Sequence, residues 1–503
     1  MKLNSKVYLY SIALILVLSL SCSLLNGSTS TFEPADTGTV EVEPTIQSAE
    51  ETPMAGTPTE QSTQTKSTAF QNTVQLDPEG PWLLLASGGT LFAVNPDGTG
   101  PIALLDINNL VGYFPLPEKT ASSGGHFAFL TMTDPMYFTE LTLNIYTLPD
   151  MRVTKQIDLI APEYGLSSTT MPGDPEFDAA RSLVEVSSFA WSPDSSQLAF
   201  MGIIEGPTSD LYLYDLDTDS ITRLTDGPSN GIRPSWSPDG TWIVHTGVST
   251  LGTGAGYGME GIWAARADSS SVLSLYDLAP NGDEIIHGWI SPVEFVVSSW
   301  NAAYGDFRLR VYNLETSEVT PIHEGAFTSA VLDTALSTML VYVDRYSAEA
   351  GDDQESGFFL YHIPTASRTI LEQVPQRFSW SPEANRYLIL TENKNSAMKP
   401  GGDEILLPDE IRTFPAFLAG TNRWAAAQGG ADLVPGVWAV QSDGTTAKLS
   451  EAAFYGLNWT PAGDLILYGS SGLYFSQGAA EPPVQISAEP LQTSESVWLN
   501  GTP

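Results

Sequence analysis

A short phrase occurs twice in this chain: Ala190-Trp191-Ser192-Pro193-Asp194-Ser195 and, 45 residues on, Ser235-Trp236-Ser237-Pro238-Asp239-Gly240. An apolar run follows each, Gln197-Leu198-Ala199-Phe200 and Thr241-Trp242-Ile243-Val244. A period of that length signals stacked β units. The tryptophan fills a core slot at the end of one strand. Proline then presets φ for the first central turn position, aspartate caps the turn, and glycine takes the left-handed corner. The phrase is a strand–turn–strand joint, and its recurrence predicts the blades of a propeller.

From Leu76 onward the pattern is strand, turn, strand, with almost no helical periodicity. The best-formed unit is 189–227, and 234–277, 287–325 and 328–373 repeat it, the last without the tryptophan. Further units open at Phe378-Ser379-Trp380-Ser381-Pro382 and Leu457-Asn458-Trp459-Thr460-Pro461, with a weaker one over 417–450. At the front, 82–105 supplies three strands but no first one, and 113–159 is a degenerate second unit. The expectation is an all-β propeller of four-stranded antiparallel blades. Eight blades are expected, with seven to nine allowed, because 378–451 could hold one irregular blade or two. The ending Glu495-Ser496-Val497-Trp498-Leu499-Asn500-Gly501 echoes the missing first strand and should complete the blade of Trp82–Leu85, removing two exposed sheet edges. These repeats resemble the WD40-like propeller repeat of the TolB family, also found in dipeptidyl-peptidase-IV-type enzymes. The resemblance covers most of 80–501, strongest at Trp191–Asp194, Trp236–Gly240 and Trp380–Pro382. It implies a propeller and suggests an envelope-assembly role. TolB itself is soluble, six-bladed and carries a separate N-terminal domain, so its role in the Tol–Pal system does not transfer directly.

Met1–Lys6 is a basic segment and Val7–Leu20 an apolar one, too short to span a bilayer comfortably. It ends at Cys22, the single cysteine of the chain. The arrangement is similar to the lipobox of bacterial lipoproteins, with Ser19 where that family prefers leucine. The resemblance implies a signal peptide over 1–21, lipidation of Cys22 (palmitate among its acyl chains), and an address in the bacterial cell envelope, on the outer side of a membrane or in the periplasm. Residues 22–76 are rich in Ser, Thr, Pro and Glu and nearly free of large apolar side chains, so they cannot bury enough surface to offset ordering entropy. They are expected to form a disordered tether, and 77–503 the propeller. Lys and Arg total 21 against 59 Asp and Glu, a net charge of −38. That balance excludes nucleic acid as the main partner and leaves the lipid anchor as the one membrane contact.

Three motif matches fail on context. Gly227-Pro228-Ser229-Asn230-Gly231 fits a nucleophile elbow but leads into a strand rather than a helix. Gly256-Tyr257-Gly258-Met259-Glu260-Gly261 fits a dinucleotide fingerprint but also precedes a strand, Ile262-Trp263-Ala264, and is expected to be a loop. Asp215-Leu216-Asp217-Thr218-Asp219 has alternating carboxylates but lacks the glycine of a calcium loop. The histidines (126, 245, 287, 323, 362) show no metal-ligand spacing. The expectation is no catalytic residue, no metal, no cofactor and no enzymatic activity.

Strand parity points to a working face. In an antiparallel blade the first-to-second and third-to-fourth turns share one face, and the remaining connections share the other. The long segments 159–187, 247–261, 344–357 and 393–404 all fall on that second face. Long loops on a rigid scaffold are where binding concentrates. Tyr257, Met259, Tyr304, Tyr346, Asp352 and Asp353 are the candidate binding residues. The expected partner is an extracytoplasmic protein, peptide or glycan with basic character. The alternatives are an enzyme with a small active site on the same face and an envelope-assembly component like TolB.

Overall fold

A computed structural model describes most of residues 75–501. Residues 1–74 and several loop positions, among them 251–256, 276–282, 302–305 and 344–356, lie outside the described residues. The chain divides into Met1–Thr73 and Val74–Pro503, and every described sheet lies in the second unit.

Nine four-stranded antiparallel sheets are described. Blade 1 is Trp82–Ser87, Thr90–Val94 and Ile102–Asp106, with Ser496–Leu499 as its first strand. Blade 2 is Leu110–Val111, His126–Thr131, Thr142–Thr147 and Arg152–Asp158. Blade 3 is Phe189–Trp191, Gln197–Gly202, Asp210–Asp215 and Ser220–Arg223. Blade 4 is Asn230–Trp236, Trp242–Thr250, Tyr257–Arg266 and Val272–Leu275. Blades 5 to 9 open with Asp283–Trp289, Ser329–Asp333, Arg377–Ser381, Ala416–Phe417 and Gly456–Trp459. Nine stands at the upper end of the range and one above the expected eight, because 378–451 holds two sheets. Blade 8 is faint in the sequence because its first strand is only two residues long and carries no tryptophan. First strands of neighbouring blades pack on one another, as Phe189–Trp191 on Asn230–Trp236 and Ser329–Asp333 on Asp283–Trp289, so these strands converge on the axis.

The core lies between blades. Second and third strands are apolar on both faces, as in Leu465–Gly469 and Trp424–Gln428, since each face meets a neighbouring sheet. Alternation then sorts side chains by neighbour. Trp82 and Leu84 of blade 1 pack with Phe127, Phe129 and Tyr146 of blade 2. Leu83 and Leu85 turn the other way, to Ile466, Tyr468 and Leu473 of blade 9. Val244 likewise meets Phe295 and Val297 of blade 5, while Ile243 joins the cluster of blade 3. Outer strands such as Ser220–Arg223 and Val484–Ser487 are largely exposed.

Closure occurs where the sequence places it. Ser496–Leu499 pairs with blade 1 in the register Trp82–Leu499, Leu83–Trp498, Leu84–Val497 and Leu85–Ser496. The chain end also reaches blade 2, where the amides of Gly124 and Gly125 donate to Gly501 O (3.0 Å) and Asn500 O (2.8 Å).

The repeated phrase builds the same joint twice. The Ser192 hydroxyl donates to Asp194 Oδ1 (2.7 Å) and accepts the Gln197 amide (2.9 Å). The Ser237 hydroxyl donates to Asp239 Oδ1 (2.7 Å) and accepts the Trp242 amide (2.9 Å). The Ser192 hydroxyl also holds the Asp194 carboxyl below its ordinary value. Gly240 turns the corner at φ 72°, as the turn chemistry requires. The tryptophans then reach across blades. Trp236 Nε1 donates to Ala190 O (2.9 Å), Trp459 Nε1 to Ala416 O (2.8 Å) and Trp498 Nε1 to Trp459 O (2.8 Å), each on the first strand of the preceding blade. Trp289 Nε1 reaches Ser235 Oγ (3.2 Å) in the same sense.

This packing has three measurable consequences. Deleting 496–503 removes one packed tryptophan and a full ladder, a loss of ~3–5 kcal/mol or more by core precedent. The melting temperature and solubility should fall together, and unchanged melting would refute closure by this strand. Ser237→Ala strips the Trp242 amide of its acceptor in a buried turn and should cost about 1–3 kcal/mol, read from chemical denaturation. His245 and His287 are pushed down by burial to about 4. The fold therefore holds them neutral, whereas the unfolded chain takes up protons near the ordinary value of ~6.5. Unfolding is favoured by protonation between these values, so stability present above pH ~6.5 is lost toward pH ~4, of the order of 3 kcal/mol per histidine. Thermal melts at pH 7.5 and 4.5 should show this, and His245→Leu should flatten the dependence.

Candidate functional site

Of the residues singled out in the sequence, Cys22, Tyr304, Tyr346, Asp352 and Asp353 lie outside the described residues. Tyr257 and Met259 are on a strand rather than a loop. Tyr257 pairs with Thr250 and Met259 with Val248, so 247–261 is mostly a long hairpin whose connection is 251–256. Gly247, on the facing strand, serves close packing. A Cβ at Gly247 would stand 2.7 Å from Trp263 Nε1, so the indole lies over a bare backbone. His245, on the same strand, is buried in the core, as its apolar flanks suggest.

On the long-loop face, the described structure brings together two segments around blades 2 and 3. The first is the 132–141 connection of blade 2. The Thr133 amide donates to Thr139 O (3.0 Å) and the Thr139 amide to Asp134 O (3.2 Å), pinching the loop at its base. The Met136 amide donates to Asp134 Oδ1 (2.8 Å), fixing the tip. Phe138 and Glu140 sit at φ 51° and 54°, a conformation that residues with a side chain rarely adopt. Phe138 is buried and meets Phe177 edge-on at 5.4 Å, which holds the strained turn in place. The result leaves Met136 at the tip, 64% exposed.

The second segment joins blades 2 and 3. It is tied down at once, with the Ala161 amide donating to Ile203 O (2.8 Å) and the Ile203 amide to Leu159 O (2.7 Å). A turn then presents Met171, 63% exposed, its amide donating to Asp174 Oδ2 (2.7 Å). A helix, Pro175–Glu185, follows within what reads as a long loop. Its signals are present in the sequence: Asp174 before it, Pro175 at its first position, Glu176 and Asp178 in the first turn, and apolar residues at 177, 180 and 184. It packs through Ala179, Ala180 and Leu183 and rests on the first two strands of blade 4. Residues 132–141 and 159–188 hold Asp134, Glu140, Glu163, Asp174, Glu176, Asp178 and Glu185 against a single base, Arg181. The two segments that carry the exposed methionines are thus acidic in sum.

Beside them, the Asp210 carboxylate accepts from Arg223 Nη2 (2.6 Å) and from the Gly227 amide (3.2 Å), and Arg223 also meets Asp226 (2.8 Å). Burial pushes the Asp210 carboxyl up against the pull of Arg223. This cluster clamps the ends of the third and fourth strands of blade 3 and so steadies the loops above. Among the described residues no three His, Cys, Asp or Glu side chains are grouped to hold a metal ion.

No protein-family profile matches the chain. It is 34% identical over 105 residues to the uncharacterized protein Atu1656 of Agrobacterium fabrum, a match covering 19% of this chain and 33% of that protein. It is 29% identical over 129 residues to the uncharacterized peptidase YuxL of Bacillus subtilis, covering 26% of this chain and 19% of that one. The chain thus spans about a third and about a fifth of these relatives. Among solved structures, TolB from Acinetobacter baumannii is 19% identical with a TM-score of 0.30, over 55% of this chain and 61% of that one. Porphyromonas gingivalis dipeptidyl peptidase 4 is 14% identical with a TM-score of 0.42, over 83% and 59%. The expectation that the chain is not an enzyme is corrected by these findings, since a stretch of 129 residues is shared with a protein named a peptidase. The repeats and the nine sheets agree on one architecture: an all-β propeller of four-stranded antiparallel blades.

Proposed function

We propose that this chain is a binding propeller of the bacterial cell envelope, carried on a lipid at Cys22 and a tether over 22–76, which takes up basic polypeptide on its long-loop face. The observation that supports this most is the pair of methionine-tipped segments fixed on blades 2 and 3, whose residues include seven acids and one base. Methionine is unbranched and polarizable, so it adapts to varied apolar partners. The acidic balance steers a cationic chain and raises its on-rate, an effect that weakens as salt shortens the Debye length from ~10 Å at 0.1 M to ~3 Å at 1 M. Two or three acyl chains hold a protein to a membrane firmly where one does not. A flexible tether adds reach at ~5–6 Å × √n.

A second reading is favoured by the stretch shared with the protein named peptidase YuxL: the bound polypeptide would then be a substrate. Incubation with a panel of internally quenched peptides tests it, and cleavage that survives repurification of the chain would support it.

Binding is tested with the full-length chain immobilised and a labelled amphipathic lysine-rich peptide. Association should slow markedly between low and high salt, and Met136→Ser with Met171→Ser should weaken binding by about tenfold, near 1.4 kcal/mol. Binding unaffected by either change would place the site elsewhere. For the anchor, Cys22→Ser should move the protein to the soluble fraction and abolish metabolic palmitate labelling; a variant that stays membrane-bound would overturn the assignment.

A further inference from the structure

Val153, Ile221, Ile370 and Val484 are exposed aliphatic side chains on outer strands, and they carry no reactive atom. The exposed apolar residues at the tips on blades 2 and 3 are instead methionines, whose thioether sulfur keeps a lone pair open to oxidants. Elsewhere the ring shields this group. Met201 and Met339 lie wholly buried in the clusters between blades, and Met132, Met151 and Met259 are half-buried. The backbone at each tip is fixed without the side chain. Met136 and Met171 donate their amides to Asp134 Oδ1 (2.8 Å) and Asp174 Oδ2 (2.7 Å), and Phe138 on Phe177 anchors the first loop below its tip. A change of chemistry at either exposed sulfur therefore leaves loop and ring standing. An oxygen on Met201 or Met339 would put a polar group into a dry core.

We propose that Met136 and Met171 are sites of reversible oxidation by peroxide, and that sulfoxide formation at these tips releases polypeptide bound to the long-loop face. The sulfur lone pair attacks one peroxide oxygen, the O–O bond breaks, an S–O bond forms, and water leaves with both peroxide protons. Sulfur loses two electrons and peroxide gains them. Two thiols, acting through a sulfoxide reductase, reverse the step and leave a disulfide and water. Peroxide is uncharged, so the acidic balance of the two segments does not exclude it. The product is polar where the thioether was apolar and adaptable, so an apolar partner surface loses its match. Release rests on the reading that these tips bind basic polypeptide, whereas the modification sites do not.

The test treats the full-length chain with hydrogen peroxide and maps sulfoxide by mass spectrometry of its peptides. Melting, and affinity for a labelled, methionine-free, amphipathic lysine-rich peptide, are read in parallel. Met136 and Met171 should oxidise about tenfold faster than Met201 and Met339. With both tips oxidised, the melting temperature should hold and affinity should fall about tenfold. Methionine sulfoxide reductases of both stereochemical classes, with dithiothreitol, should restore it. In a chain carrying Met136→Leu and Met171→Leu, peroxide should leave that variant's own affinity where it was. Oxidation of Met201 and Met339 at the rate of the tips, or melting lost as the tips oxidise, overturns the modification sites. Undiminished affinity with both tips oxidised, or an equal fall in the leucine variant, overturns release. Absence of binding by the unoxidised chain removes the binding reading and release with it, while the mapped sites stand or fall on their own rates.

Discussion

A blade of four short strands is apolar on both faces and cannot cover either one by itself. Every blade therefore depends on its two neighbours, and the set is satisfied only when the last blade meets the first. The seam between Leu83 and Leu85 of blade 1 and Ile466, Tyr468 and Leu473 of blade 9 is that meeting. Sharing blade 1 between the chain's two ends makes the seam a hydrogen-bonded ladder as well as an apolar contact. The indole bonds add direction. Because Trp236, Trp459 and Trp498 each reach back to the first strand of the blade before, the rotation of one sheet relative to the next is fixed at the crowded axis. Apolar packing alone is indifferent to such small rotations.

The same residues explain how far the fold can be read in advance. Trp, Ser, Pro, Asp and Gly each have one local task in the joint, and those tasks do not depend on distant parts of the chain. Blades 3, 4 and 9 are legible for that reason, and so is the closing strand, which carries the tryptophan of a first strand without the strands to follow it. Legibility fails where tertiary contacts decide. The Leu110–Val111 and Ala416–Phe417 strands are too short to show a period, and are defined by pairing with the second strand of their own sheet. Gly256, Gly258 and Gly261 make 256–261 read as a loop before the strand Ile262–Ala264, yet Tyr257–Arg266 is one strand, held by pairing with Trp242–Thr250 that no local signal shows. The helix Pro175–Glu185 is a different case: its capping signals are local, and only the strand pattern on either side hides it.

The site is legible to a lesser degree, and the reason is physical. Strand parity fixes which connections share a face, so the face itself can be deduced. Which loops on it are held in place cannot, because that depends on anchors such as Phe138 on Phe177 and on pinches such as Thr133 with Thr139. Tyrosines and aspartates draw attention by residue type, whereas Met136 and Met171 matter by exposure, and exposure is a tertiary property.

Two strained positions, the turn at Phe138–Glu140 and the bulge at Arg233, differ in how the strain is offset. At Phe138 the strain is offset by burial of the ring itself, so the residue that adopts the unfavourable conformation also contributes the compensation. At Arg233 the side chain is exposed. The compensation there comes from the surrounding ladder and from the bond to Ser187, both of which would serve a glycine equally. A strained loop that buries its own anchor is explained by folding. At Arg233 the ladder and the bond to Ser187 do that work, so both strained positions are held by the fold around them.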